Sequence, residues 1–210
     1  MVFRGLSARI SLCIFRSIKQ RLMTTNLTDM TLEELWELFP IVLVPHNDGW
    51  AEQFAEMKSR LYELLSAFPI TRISHIGSTA VPGIWAKPIV DILVEFEEDT
   101  SLEGAANKLE ENGFITMSAS ERRISLNYGY TPTGFDEKVF HIHLRQTGDN
   151  DELYFRDYLR DHEEVARSYE QLKLQLWRQF EKNRDAYTDA KAEFVKAWTN
   201  SAKQIYSGRY

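Results

Sequence analysis

The run "KPIVDILVEF", residues 87–96, constrains the chain more than any other stretch. It is an apolar, β-branched segment of strand length with a single aspartate, Asp91, inside it. A carboxylate in such a segment is costly unless something pairs with it, so the fold must bring Asp91 a partner. Alternation along a strand puts Val90, Ile92, Val94 and Phe96 on one face and Ile89, Asp91, Leu93 and Glu95 on the other. A second run, "VFHIHLR", divides in the same way. Phe140, Ile142 and Leu144 share one face; Val139, His141, His143 and Arg145 share the other. If the two strands are neighbours, Asp91 meets both histidines on one sheet face, and the three form a carboxylate–imidazole arrangement of the kind divalent metals use. The plainer alternative is a solvated polar face. The apolar neighbours Ile89 and Leu93 weigh against it.

"HIGST", residues 75–79, precedes the first run. Gly77 permits close backbone approach, and Ser78 and Thr79 offer hydroxyl and amide donors, a plausible cradle for phosphate oxygens. The spacing does not fit a P-loop, since Gly83 is followed by Ile84 and not by lysine. It does not fit a nucleophile elbow either, because no glycine lies two residues before Ser78.

Around these stretches the pattern is strands with interspersed helices, then a helical C-terminal third, which predicts an α+β domain with a small mixed sheet flanked by helices. Thr31 with Glu34 forms a capping box for a short helix, "IVLVP" reads as a strand, and Asp48 caps the next helix. Thr100 with Glu103 caps another helix, "TPTGFDEK" reads as a turn, and Asp161 with Glu164 opens the helix at "HEEVARSYEQLKLQLWRQF". "AYTDAKAEFVKAWTNSAKQIY" reads as one closing helix.

The 210 residues suggest one domain, residues 30–210, behind a basic extension, residues 1–29. Arg4, Arg9, Arg16, Lys19 and Arg21 precede the first carboxylate, Asp29. Three readings of the extension stand open: a start at Met23 or Met30, a basic helix packed on the domain, or a targeting segment. The net charge of −6 argues against long nucleic acid and membrane surfaces as partners, though not against a small anion in a local basic pocket. The one cysteine, Cys13, rules out an internal disulfide and a cysteine zinc site, so a cytoplasmic setting is the simplest expectation. No obligate protein partner is evident in the sequence.

Other residues carry a functional and a structural reading side by side. His75 is an acid–base or phosphate contact, or a structural strand histidine. Lys87, held extended by Pro88, neutralises phosphate, or is an exposed loop lysine. Arg156 and Arg160 share a helix face as an anion clamp, or pair with Asp157, Asp161 or Glu164. Arg123, Ser125 and Asn127 alternate on a strand and could join the polar face. Lys173 and Tyr187 are weaker candidates. Trp50, Trp177 and Trp198 read as core.

Gly77-Ser78, twelve intervening residues, then Asp91 resembles the signature of the polymerase-β-like nucleotidyltransferase superfamily. The string "HIGSTAVPGIWAKPIVDILVEF", with "HIHLR", "FRDYLRDH", "YEQLK" and "KAEFV", resembles the GrpB family within it, over about residues 30–200. The resemblance implies that Gly77 and Ser78 hold the phosphates of a nucleotide or other small phosphorylated ligand, and that Asp91 binds a divalent metal, magnesium first and manganese or another transition metal as alternatives. It implies nucleotidyl or phosphoryl transfer to a small acceptor. The superfamily pattern has a second carboxylate two residues on, where this chain has Leu93. Either Glu95, His141 and His143 rebuild the metal site, or the chain is a nucleotide- or coenzyme-binding module without chemistry. A metal-dependent phosphohydrolase using the histidines is a third reading.

Overall fold

The computed structural model describes residues 27–210, so the expectations for residues 1–26 lie outside it. Five strands form one mixed sheet in the order β1-β2-β5-β4-β3. They are β1 (Ile70–Ile76), β2 (Val90–Phe96), β3 (Ile115–Ala119), β4 (Arg123–Thr131) and β5 (Gly134–Gln146). The β2–β5 pair is parallel and the others are antiparallel. The helices are α1 (Leu32–Leu38), α2 (Gly49–Leu64), α3 (Leu102–Glu110), α4 (Asp151–Asp161), α5 (Glu163–Gln179), α6 (Arg184–Asp189) and α7 (Ala192–Ile205). The expected α+β architecture with a helical C-terminal third is what forms. Among the described residues no helix is long and apolar enough to cross a membrane.

The predicted alternation sets the core. Val90, Ile92, Val94 and Phe96 join Phe140, Ile142 and Leu144 in one buried cluster, closed by Trp50, Met57 and Leu61 of α2 and Leu102, Ala105 and Leu109 of α3. The opposite sheet face carries Asp91 paired in register with His141, and Leu93 with His143. This face is only partly open to solvent, with the Asp91, His141 and His143 side chains 28%, 19% and 24% exposed. Leu93 packs against Ile76 and Leu153 of α4, and the C-terminal helices lie over the rest.

Several local expectations are corrected. Residues 41–45 form no strand; Val44 exchanges two hydrogen bonds with Ala86 as a lone bridge, while Ile41 packs against Leu176 and Tyr187. Asp48 makes no side-chain cap; the Asn47 side chain accepts from Gly49 N instead. The cap of α3 is Ser101 rather than Thr100, and α5 starts after His162 with no side-chain cap from Asp161. The β4–β5 turn is confined to Pro132 and Thr133, because Phe135 packs on Phe39 and Tyr130 and draws its segment into the sheet. The closing helix breaks at Ala190 and Lys191 into α6 and α7.

Candidate functional site

Parallel register sets Asp91 beside His141, and β4 continues the row with Asn127 and β3 with Ile115. The next row runs Leu93, His143, Ser125, Ser118. These rows floor a cavity of about 840 Å³. Gly77, Ser78, Thr79 and Lys87 line it from the segment between β1 and β2. Leu32, Leu35 and Trp36 of α1 form one wall. Tyr169 and Lys173 of α5, Arg184 and Tyr187 of α6, and Lys191 form the other.

Asp91 Oδ1 lies 3.0 Å from Nδ1 of His141 and 3.8 Å from Nε2 of His143. Burial alone would raise the Asp91 carboxyl, but the two imidazoles reverse this and hold it well below the usual carboxylate range. The second oxygen explains the glycine before Ser78. A Cβ on Gly77 would stand 2.2 Å from Asp91 Oδ2, and Gly77 has φ +70°. The turn Ser78–Ala80 is thus seated directly on the carboxylate.

Four cations border the cavity: Lys87, Lys173, Arg184 and Lys191. Among the described residues none forms an ion pair with a carboxylate, and residues 1–26 contain no Asp or Glu that could supply one. Each instead lies over an aromatic ring. Lys87 and Lys191 flank Tyr187, with Nζ 5.2 and 4.3 Å from its centroid; Lys173 lies 4.9 Å from Tyr169, and Arg184 5.7 Å from Tyr130. Lys173 also donates to the Trp85 carbonyl. Burial, and then the neighbouring cations, pull Lys87 and Lys173 down to about 7; burial pulls Lys191 down to about 8. Asp91 and the exposed Asp185 are the carboxylates of the lining. The concentration of positive charge here, in a chain of net charge −6, is a local basic pocket.

The remaining sequence candidates separate into two groups. Asp91, His141, His143, Gly77, Ser78, Thr79, Lys87, Ser125 and Asn127 line the cavity. The others are placed elsewhere. His75 faces the α2 side, stacked 5.0 Å from Phe54, with Nε2 3.0 Å from the Thr79 hydroxyl; burial lowers it to about 4, so it is neutral. Arg156 pairs with Asp157 at 2.7 Å, the structural alternative, and donates to the His75 carbonyl and the Tyr210 hydroxyl, while Arg160 donates to the Ala80 carbonyl, so they brace β1 and the turn instead of clamping an anion. Arg123 forms a two-bond pair with Asp149, at 2.7 and 2.5 Å, outside the cavity. Glu95 is fully buried and bound by Arg72 at 2.6 Å and Asn150 at 3.0 Å, so it is not a metal ligand beside Asp91. Lys87, far from being an exposed loop lysine, is half-buried in the lining.

The donor set does not fit a resident divalent ion. Asp91 is the single carboxylate on the sheet floor, with Leu93 where a second would stand. Both nitrogens of His141 are engaged, Nδ1 by Asp91 and Nε2 by the Tyr130 hydroxyl at 2.8 Å. Among the described residues no group of three or more His, Cys, Asp and Glu is arranged to hold a metal.

Reasoning from the sequence missed Arg184, Lys191, Tyr130 and Tyr169, and gave Lys173 and Tyr187 little weight. A signal existed for the α5 pair: Tyr169 and Lys173 are four apart in "YEQLK" and share a helix face. Which face that is depends on tertiary docking.

A family model described as "GrpB protein" matches residues 40–201. The Bacillus subtilis UPF0157 protein YqkA is 32% identical over 196 residues, covering 90% of this chain and 56% of that protein, so the chain spans a little over half of that relative's length. The glutamate-rich protein GrpB of Alkalihalophilus pseudofirmus is 32% identical over 161 residues, covering 74% of this chain and 91% of the relative. The crystal structure of conserved protein GrpB from Enterococcus faecalis superimposes with a TM-score of 0.67 at 29% identity, covering 79% of this chain and 99% of that one. The Gly77–Asp91 contact and the β2–β5 register sit inside the matched segment, and the chain belongs to the GrpB family.

Proposed function

We propose that the cavity binds a small phosphorylated ligand, a nucleotide in the simplest case, and that the protein transfers a phosphoryl or nucleotidyl group from it to a small acceptor. The observation that carries this reading is the set of four cations, Lys87, Lys173, Arg184 and Lys191, bordering one cavity without carboxylate partners among the described residues. Mutual repulsion and lost hydration make that set unfavourable on its own, and a polyanion relieves both. Arginine and lysine together suit phosphate, the one by its fork and the other as a point charge. The turn at Gly77–Ser78 orients the phosphates over Asp91. Developing negative charge meets preorganised cations in a partly desolvated site, the arrangement that stabilises phosphoryl transfer. A magnesium ion entering on the ligand's own phosphates would come as part of the substrate.

A second reading, binding without chemistry, draws on Leu93 and on the engagement of both His141 nitrogens. One experiment separates the two. The protein is melted with inorganic tripolyphosphate and with each nucleoside triphosphate, with and without magnesium, then incubated with the stabilising nucleotide in α- and γ-labelled form. Transfer expects a higher midpoint and label moving to a new product. A higher midpoint without turnover favours the binding module. No midpoint change with any of these anions overturns both readings.

A further inference from the structure

Tyr130 ends a chain of hydrogen bonds that phosphate binding does not require. Its hydroxyl is 2.8 Å from Nε2 of His141, and Nδ1 of His141 is 3.0 Å from Asp91 Oδ1. Arg184 donates to the same hydroxyl at 3.0 Å. The donor directions follow from the end groups. Ionised Asp91 accepts only, so Nδ1 carries the ring proton and Nε2 of the neutral imidazole is an acceptor. Tyr130 therefore donates to Nε2. Arg184 only donates, so it occupies a lone pair of the phenolic oxygen. The order is hydroxyl, imidazole, carboxylate, the arrangement by which a neutral hydroxyl is activated as a nucleophile. Tyr130 lines the cavity with Arg184 at its hydroxyl, and one lone pair of its oxygen is left over.

We propose that Tyr130 is a catalytic nucleophile, with His141 as its base, Asp91 as a positioning residue and Arg184 as the cation that meets the reacting phosphate, and that it accepts a phosphoryl or nucleotidyl group from the bound ligand. This rests on reading the cavity as a phosphate site. In the first step the phenolic oxygen forms a bond to phosphorus. Its proton passes to His141 Nε2, and the bond from phosphorus to the leaving oxygen breaks with its electron pair on that oxygen. Asp91 stabilises the imidazolium, and Arg184 the charge gathered around phosphorus. In the second step an acceptor hydroxyl attacks the tyrosyl ester and the imidazolium returns its proton to the departing phenolic oxygen; the acceptor proton passes to solvent. Burial pushes the Tyr130 hydroxyl up, so the group rests as the neutral phenol and needs its base.

The test uses diisopropyl fluorophosphate, which phosphorylates activated hydroxyls with loss of fluoride, on the full chain, read by peptide mass spectrometry. Tyr62, 44% exposed, is the internal reference. Tyr130 is expected to gain the diisopropylphosphoryl group about a hundredfold faster than Tyr62, in keeping with base assistance, and to lose that advantage in His141→Gln. Labelling at the Tyr62 rate, or an undiminished rate in His141→Gln, overturns the proposal. Titration with tripolyphosphate runs alongside. A protein that binds it yet forms no Tyr130 adduct loses the nucleophile and keeps the phosphate site; one that does neither loses both.

Discussion

Gly77 and Asp91 fit each other as a pair. The positive φ and the 2.2 Å approach of a Cβ to Asp91 Oδ2 leave room for no side chain at position 77. Gly77→Ala is therefore expected to cost about 2–4 kcal/mol, from backbone strain and overpacking together, measured by urea denaturation. Gly148→Ala serves as the control: its φ of +91° is also strained, but nothing lies within 4 Å, so its cost should be clearly smaller. Equal costs would show that the Asp91 contact is not tight. Glu95 makes the opposite point, because it looked like a ligand and is a strut. Glu95→Gln weakens charge-assisted bonds to Arg72 and Asn150 and should cost about 1.5–3 kcal/mol of stability, while tripolyphosphate affinity stays within twofold. A large loss of affinity in a variant of unchanged stability would put Glu95 back in the site. The sequence made Asp91 legible, since a carboxylate among Ile89, Val90, Ile92 and Leu93 needs a reason. It could not separate Glu95 from Asp91, because alternation assigns both to one face and is silent on which end of the strand faces the cavity.

At the scale of elements, β2 and β5 were readable as a pair from matching alternation, and their parallel register brings Asp91 and His141 level. Lys87 sits just before β2, but the other three cations come from α5, from α6 and from the break before α7. Long amphipathic patterns announced these helices, but a basic residue on an amphipathic helix is ordinary, and only the placement of α5 and α6 around the cavity turns these inward. Lys173 is the sharpest case, 2% exposed on the buried face of α5 with Tyr169, Glu170 and Leu176. Lys173→Met removes a desolvated charge and keeps the packing of the stem. It should leave the ligand-free protein as stable as wild type or more so at pH 6, measured by chemical denaturation, and weaken tripolyphosphate binding at least about tenfold. A destabilised variant with intact binding would mean that Lys173 serves the Trp85 carbonyl and not a ligand.

For the molecule as a whole the same charges predict an unusual pH profile. Unfolded lysines hold their protons to about pH 10.4, whereas Lys87, Lys173 and Lys191 in the fold release them near 7 to 8. Between about pH 7 and 10 the unfolded chain thus binds more protons, and stability rises with pH. Above about pH 10 the sign reverses, since Tyr169, pushed up to about 12 by burial, stays protonated when unfolded tyrosines ionise. Asp91, held well below its ordinary value, withdraws its contribution as pH falls below about 4. Ligand-free stability should therefore peak near pH 9 to 10, above the more common range of about 5 to 8. Saturating tripolyphosphate should erase the rise above pH 7, because bound phosphate keeps the lysines charged. A ligand-free maximum near pH 6, by urea denaturation across pH, would show that the three lysines are not held neutral.

Calorimetric titration of tripolyphosphate into the full chain at pH 7.5, in two buffers of different ionisation enthalpy, tests the phosphate site most directly. One molecule should bind per chain with net uptake of protons, and both signals should be lost in the Lys173→Met/Lys191→Met double variant. Absence of binding by the wild type, or binding that the double variant retains with the same proton uptake, would contradict the phosphate site.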